Sequence, residues 1–308
     1  MHTAYITHPL CRKHEAGLHH PECPERLAAI DDRLHAAHLY DYLHHFHHPA
    51  QATRAQLMRI HDAAYVDRIF ALAPAAGFVH LDADTAMNPH SLGAALHAAG
   101  AAIEAVDRVI TGEVQNAFCA VRPPGHHAGR ASSGGFCIFN NVACAAAHAL
   151  EAHGLERLAI VDFDVHHGNG TEEIFRDDPR VLLVSTFQHP FYPHSGADTS
   201  SAHLVNVPLP AGTTGSAYRE AFTARAMPAL EAHRPEMILL SAGFDGHRED
   251  DMAHFNLVEA DYAWITEQTM AVARTHAADR IVSVLEGGYN LNALGRSVAA
   301  HIKALAGL

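Results

Sequence analysis

Asp164 and His166 stand two residues apart, just after an apolar run, Leu158–Val161. Alternate residues of an extended chain point the same way, so both side chains can reach one ion. Asp245, shortly after a second such run, Met237–Leu240, can supply a third ligand. Two carboxylates and one imidazole leave coordination positions free for water or substrate, the catalytic rather than the structural pattern for zinc. Oxygen and nitrogen donors suit Fe²⁺ as well. Either aspartate alone would read as a polar strand end with satisfied hydrogen bonds; the company they keep points to a metal. His126 and His127 follow a Pro123-Pro124-Gly125 turn that presents both rings. A neutral imidazole can take a proton from an activated water, and an imidazolium can later protonate a leaving amine. Tyr289 follows Gly287 and Gly288, which let the chain bend tightly beside a ligand. Its hydroxyl can donate to the oxyanion of a tetrahedral intermediate.

These groups need a frame. Five β-branched or apolar runs, Ala117–Val121, Leu158–Val161, Val181–Val184, Met237–Leu240 and Ile281–Leu285, alternate with helix-like stretches. Ala94–Gly112 reads as an alanine-rich helix, and Asn140–His153 as another that starts at an asparagine cap and stops at Gly154. Such alternation predicts βαβ units and a parallel sheet covered by helices. Each run leads at once into polar or glycine-rich sequence: Arg122–His127, Asp162–Gly168, Ser185-Thr186, Ser241–Asp245 and Glu286–Tyr289. Ligands of open parallel sheets bind at the carboxyl ends of the strands. Five reactive strand ends therefore converge on one pocket. No linker, repeat or low-complexity segment divides the chain, so residues 1–308 are expected to form a single α/β domain.

Bulk properties narrow the partners. Hydrophobic residues make up 48% of the chain and charged residues 18%, enough apolar surface for a large core. A formal net charge of −13 argues against a nucleic-acid binder and suits cationic rather than anionic ligands. Five cysteines, odd in number and without a C-x-x-C pair, suit a reducing, cytoplasmic setting. Met1–Leu10 lacks the apolar core of a secretory signal, and no apolar run approaches the ~20 residues of a membrane span. The 29 histidines include His44-His45-Phe46-His47-His48, which reads as a solvated, compositionally biased face outside the mechanism.

Arg122–Ala128, Asp162–Gly170, Ser241–Asp245, Gly287–Leu291 and His20–Leu27 resemble, in order, the signature segments of the histone deacetylase family. The likeness runs from about Tyr5 to Leu291. It implies the arginase/deacetylase fold, a single domain with an eight-stranded parallel sheet and helices on both faces. Asn169, where class I members carry aspartate, resembles the class II branch with its bacterial amidohydrolases. The implied activity is zinc-dependent hydrolysis of an N-acyl amide such as acetyl-lysine, releasing acetate and a free amine. By the same resemblance His127 would be the main base and acid and His126 mostly electrostatic, with Asp162 and Asn169 orienting the two rings. Gly135, Phe136, Tyr192, Met252 and Gly287 would form the substrate tunnel, and Arg26 would stand near an acetate channel. A structural potassium ion would lie on Asp162, Asp164, His166, Ser185 and Thr186, with a second alkali site near Phe175, Asp178 and Val181. Tyrosine at position 289, where some poorly active relatives have histidine, implies an active enzyme.

Rival readings are weaker. A binuclear ureohydrolase needs more carboxylates, but the residues two beyond Asp164 and Asp245 are His166 and His247. A non-catalytic acyl-lysine reader would have lost a ligand, the histidine pair or Tyr289. Among substrates, relatives specialised for acetylpolyamines carry an acid seven positions after the last metal-ligand aspartate. That position is Met252, which favours lysine-type peptides or neutral acyl amides. Glu249, Asp250 and Asp251 just before it keep an acetylpolyamine amidohydrolase as the alternative. Self-association is left open.

Overall fold

The computed structural model describes residues 2–308. Its strands are β1 (Thr3–Ile6), β2 (His44–Phe46), β3 (Val79–His80), β4 (Ala86–Met87), β5 (Asn116–Cys119), β6 (Leu158–Asp162), β7 (Val181–Gln188), β8 (Leu204–Leu209), β9 (Met237–Ala242) and β10 (Ile281–Leu285). The helices are α1 (Glu25–Ala36), α2 (Arg54–Leu57), α3 (Ala63–Leu72), α4 (Ser91–Ile110), α5 (Asn141–His153), α6 (Asn169–Phe175), α7 (Gly215–Ala221), α8 (Met227–His233), α9 (Glu259–His276) and α10 (Leu291–Ala306). Among the described residues, eight strands pair in parallel in the order β2-β1-β5-β10-β9-β6-β7-β8, and β3 and β4 form a small antiparallel pair apart from them.

The five expected runs are five of the six inner strands, β5, β6, β7, β9 and β10, and these, like the unexpected β1, are buried along their whole length. Strands covered on both faces read as unbroken apolar runs because no side chain meets water. In one layer α4 packs on α5, and in the other α10 packs on both α1 and α9. The histidine run falls on β2, a three-residue edge strand, with His44, His47 and His48 exposed. Short polar edge strands of this kind offer little backbone for another chain to pair with.

Helix limits follow local chemistry. α4 begins three residues before the expected Ala94, because the Asn88 side chain accepts from the backbone of His90 and the hydroxyl of Ser91. It stops at Ile110, short of the expected Gly112, where Gly112 takes a positive φ of 75°. Asn140 caps α5 by accepting from the Ala143 amide, and Gly154 ends it at φ 67°, a left-handed conformation that glycine adopts without cost. No helix among the described residues is long and apolar enough to cross a membrane. All five cysteines are free thiols.

A buried ionic knot joins the N-terminal segment to the catalytic end of the sheet. Glu22 accepts from both arginines, Arg122 at 2.5 and 2.6 Å and Arg26 at 3.0 Å, and all three side chains are fully buried. Burial opposes ionisation of Glu22, but Arg122, then His14 and Arg26, hold its carboxyl far below the usual range. Removing one partner of such a knot strands the others without compensation. Glu22→Ala is therefore expected to lower unfolding stability by about 3–5 kcal/mol, read from the midpoint of chemical denaturation.

Candidate active site

β6 ends at Asp162, and the chain leaves it through Asp164 and His166. The Asp164 carboxylate accepts from the backbone amides of His166 and Gly287, both at 2.9 Å. Asp245, just past β9, accepts from the Val165 amide at 3.0 Å. These amides aim both carboxylates at His166, whose Nδ1 lies 3.0 Å from Asp164 Oδ1 and 3.1 Å from Asp245 Oδ2. All three side chains are buried, and one donor atom from each falls within 4.8 Å of the others.

The electrostatics of this trio call for a cation. Burial disfavours charge on His166, yet hydrogen bonds to Asp164 and Asp245 push it up to about 10. Burial and the neighbouring charge of Asp164 push Asp245 up to about 6. Two glycines make room: a Cβ at Gly287 would collide with the carboxylates of Asp245 and Asp164, and one at Gly243 with Asp164. An imidazole and two carboxylates with uncompensated charge fit a divalent zinc-type ion.

The two histidines of the Pro-Pro-Gly turn occupy opposite environments. His126 Nδ1 lies 2.9 Å from Asp162 Oδ2, and its Nε2 lies 3.8 Å from Asp164 Oδ1. Burial opposes its charge, but these two carboxylates raise it well above the ordinary imidazole value. His127 Nδ1 donates to the Asn169 side-chain oxygen at 2.7 Å. Burial, and then the nearby His126 and His166, drive His127 well below the ordinary value. With Nδ1–H bound to Asn169, His127 Nε2 keeps a lone pair for the pocket. Asn169 sets the tautomer without adding the charge an aspartate would bring.

Glu286 was not among the expected site residues. It is buried at the end of β10, accepts from the backbone amides of Gly125 and His126 at 2.6 and 3.1 Å, and accepts from the Ser241 hydroxyl at 3.2 Å. Burial pushes it up to about 7 despite the opposing pull of His126. It clamps the turn that carries both histidines. Its position in the glycine-rich Glu286-Gly287-Gly288 run was the only signal in the sequence.

Tyr289, beyond β10, lines a 230 Å³ pocket together with Asp84, His127, Gly135, Phe136, His166, Phe191, Tyr192 and Met252. Burial raises the Tyr289 hydroxyl well above its ordinary value and keeps it a donor. Ring contacts shape the walls: Phe136 meets Tyr289 at 5.7 Å, and Tyr192 meets His127 at 5.1 Å. Phe191, whose ring lies against His166, was missed, although the aromatic pair between Pro190 and Pro193 could have flagged it. Asp84 was missed because Asp82-Ala83-Asp84 reads as an ordinary polar turn.

Some expected placements differ. Gly287 is not in the pocket lining; it lies behind the carboxylates of Asp164 and Asp245, where its amide donates to Asp164 and its missing side chain leaves them room. Arg26, expected near an acetate channel and not in the pocket wall, lies behind Tyr289. Its fully buried guanidinium binds Glu22 and the carbonyls of Gly288 and Glu286, with its carbon 4.9 Å from the Tyr289 ring centre. The acidic run before Met252 also stays out. Asp250 is buried and accepts from the amides of Tyr289, Asn290 and Met252, Glu249 pairs with Arg296, and Asp251 borders another hollow. Asp250 thus ties its loop to the entry of α10. His247 turns to Glu259, at 3.5 Å, and leaves the site.

Ser185 stands opposite Asp162 in the β6–β7 register, and its buried hydroxyl has no hydrogen-bond partner. Thr186 donates to the Asp162 carbonyl at 3.4 Å. Phe175, Asp178 and Val181 are linked by two successive turns, the Asp178 amide donating to the Phe175 carbonyl and the Val181 amide to that of Asp178, with the Asp178 carboxylate bound by Arg180 at 2.6 Å.

The histone deacetylase domain family matches residues 20–305. The chain is 37% identical over 314 residues to the histone deacetylase-like amidohydrolase of Pseudomonas aeruginosa, covering 94% of this chain and 82% of that protein. It is 37% identical over 309 residues to the mouse polyamine deacetylase HDAC10, covering 93% of this chain and 45% of that one. A crystal structure of the HDA15 HD domain superposes with a TM-score of 0.92 at 34% identity, covering 99% of this chain and 89% of that one.

The Gly287 cradle makes a direct prediction. Gly287→Ala forces a Cβ against both carboxylates, a crowding cost of about 1–3 kcal/mol. Zinc affinity, measured by competition with a chelating dye, is expected to fall roughly tenfold or more.

Proposed function

The chain belongs to the histone deacetylase family and is a deacetylase/amidohydrolase, and on that premise we propose that it hydrolyses acetyl-lysine in a peptide, or a comparable small acyl amide, with a divalent cation held by Asp164, His166 and Asp245. The observation that carries this reading is the meeting of His127, His166 and Tyr289 in one 230 Å³ pocket with aromatic walls. Bound there, zinc or Fe²⁺ would polarise the scissile carbonyl and acidify a water.

The side chains would do the rest. Phe136 and Tyr192 hold the aliphatic stem of the substrate and keep bulk water from the reacting amide. His127, neutral and with its Nδ1 proton held by Asn169, takes the proton of the attacking water at Nε2. His126, kept cationic by Asp162, offsets the negative charge that develops beside it. The Tyr289 hydroxyl donates to the oxyanion. His127 then returns its proton to the amine nitrogen, and acetate and the free amine leave. A potassium ion on Asp162, the backbone oxygens of Asp164 and His166, Ser185 and Thr186 would give the unpartnered Ser185 hydroxyl a role and add positive charge beneath Asp162. A second alkali ion would sit near Phe175, Asp178 and Val181. The free thiols suit a cytoplasmic setting.

Met252 brings apolar contact and no charge to the pocket, which favours lysine-type or neutral amides. One observation supports acetylpolyamines as the second reading: Asp84 is an acidic residue of the pocket lining, although its Oδ1 already accepts from the Gly135 amide and the Thr85 hydroxyl.

The mechanism is tested by Tyr289→Phe together with chelation. Losing one oxyanion donor should lower kcat by about 10²–10³ with metal content unchanged. Chelation should abolish hydrolysis of a fluorogenic acetyl-lysine amide, and Zn²⁺ or Fe²⁺ should restore it. Full activity in a demetallated sample, or a kcat change under about threefold in Tyr289→Phe, would sink this reading.

Substrate choice is tested by kcat/KM ratios. Wild type should prefer an acetyl-lysine peptide to N8-acetylspermidine, and Met252→Glu should move the ratio several-fold toward the polyamine, as a half-exposed charge pair is worth about 1 kcal/mol. A wild-type preference for the polyamine that Asp84→Asn removes would establish the second reading instead.

A further inference from the structure

Outside the pocket, a second group of metal-binding side chains sits where α4 meets α5. Asp107 lies in the last turn of α4, and His148 and His153 lie on the C-terminal half of α5. Both imidazole Nε2 atoms converge on one carboxylate oxygen, Asp107 Oδ1, at 2.7 Å from His148 and 2.6 Å from His153. The rings stand nearly perpendicular, with centres 5.3 Å apart, so their lone-pair directions cross at the carboxylate rather than running parallel. Nothing in the deacetylase reading uses these residues.

We propose that Asp107, His148 and His153 form a second, peripheral binding site for a zinc-type divalent cation that links α4 to α5. Two imidazoles and a carboxylate are a borderline-soft donor set that suits zinc and its neighbours rather than calcium or magnesium. A tetrahedral ion about 2.0–2.1 Å from each donor sets the donors roughly 3.3 Å apart. The two present contacts to Asp107, 2.7 and 2.6 Å, are shorter than that, so an ion would widen them, and all three donors already lie within 4.8 Å of one another. The side chains are 46% exposed at Asp107, 11% at His148 and 22% at His153, so the imidazoles are held by packing while the carboxylate side stays open to water. That is an anchored but unsealed site, with room for solvent ligands. The backbone field agrees: α4 and α5 both bring their last turns here, and helix C-termini favour bound positive charge.

One neighbour competes with the ion. The Arg59 guanidinium lies 3.2 Å from His148 Nδ1, which must then act as acceptor, while a metal on Nε2 requires Nδ1 to carry the proton. Arg59 also pairs with Glu151 at 2.8 Å and can retain that contact when it gives up the ring. Its removal should therefore tighten the site.

The test counts zinc on the active-site-loaded enzyme by equilibrium dialysis at buffered free zinc. Wild type should take up one further equivalent at micromolar free zinc. Asp107→Asn and His153→Gln should each weaken that equivalent by at least the roughly 10–100-fold typical of changes around a metal ligand. Both should leave hydrolysis of the fluorogenic amide unchanged. Arg59→Gln should bind the second equivalent more tightly. A His2→Ala/His44→Ala variant, which removes an exposed imidazole pair on the histidine-rich edge, should bind it as wild type does. The proposal is overturned if no second equivalent binds, if it persists in Asp107→Asn and His153→Gln, if it disappears with His2 and His44, or if Arg59→Gln weakens it.

Discussion

Four carboxylates, Asp162, Asp164, Asp245 and Glu286, are buried together at the carboxyl ends of adjacent parallel strands, and the catalytic end of the molecule is organised by the need to hold that charge. An isolated buried carboxylate is strongly disfavoured unless it is paired and hydrogen-bonded. Each of the four has such support. Asp164 has the amides of His166 and Gly287, Asp245 that of Val165, Glu286 those of Gly125 and His126, and Asp162 the ring of His126. Backbone amides supply direction without supplying a full charge, so the cluster keeps a net demand for cations. The upward shift that Asp164 and Asp245 impose on His166 has the same origin, and it is the demand a divalent ion would answer.

The same field divides two adjacent histidines. His126 faces Asp162 and Asp164 and is held cationic, while His127 faces a neutral amide and two other imidazoles and is held neutral. Adjacent residues of one turn are thus driven to opposite charge states. Their turn cannot drift, because Glu286 holds it from one side and the start of α5 from the other. Asn141 donates to the Pro123 carbonyl at 3.0 Å, and Asn140 donates to Ala128 at 3.1 Å. α5 therefore runs from the catalytic turn at its N-terminus to the Asp107 cluster at its C-terminus, a path of roughly 20 Å at 1.5 Å per residue.

Much of the chemistry was legible from sequence because it is local. Asp164 and His166 share a face through the two-residue period of extended chain, the histidine pair follows a rigid turn, and Tyr289 follows two glycines. The inner strands declared themselves because burial on both faces leaves an unbroken apolar run. The family resemblance added roles that no spacing rule contains.

What local sequence could not decide was adjacency. β9 and β10 come late in the chain yet insert between β5 and β6, and only that order brings His127, Asp164, Asp245 and Tyr289 onto four neighbouring strands. Glu286 and Gly125, 161 residues apart, meet for the same reason. The pocket's Asp84, the buried turn of Asp250 and the cradle at Gly287 likewise depend on loops packing against distant strands. Residue type and short spacing set which groups can ionise, ligate or donate. Which of them share one buried volume, and so shift one another's charge, is set by long-range packing of the sheet, because electrostatic coupling depends on separation in space and not along the chain.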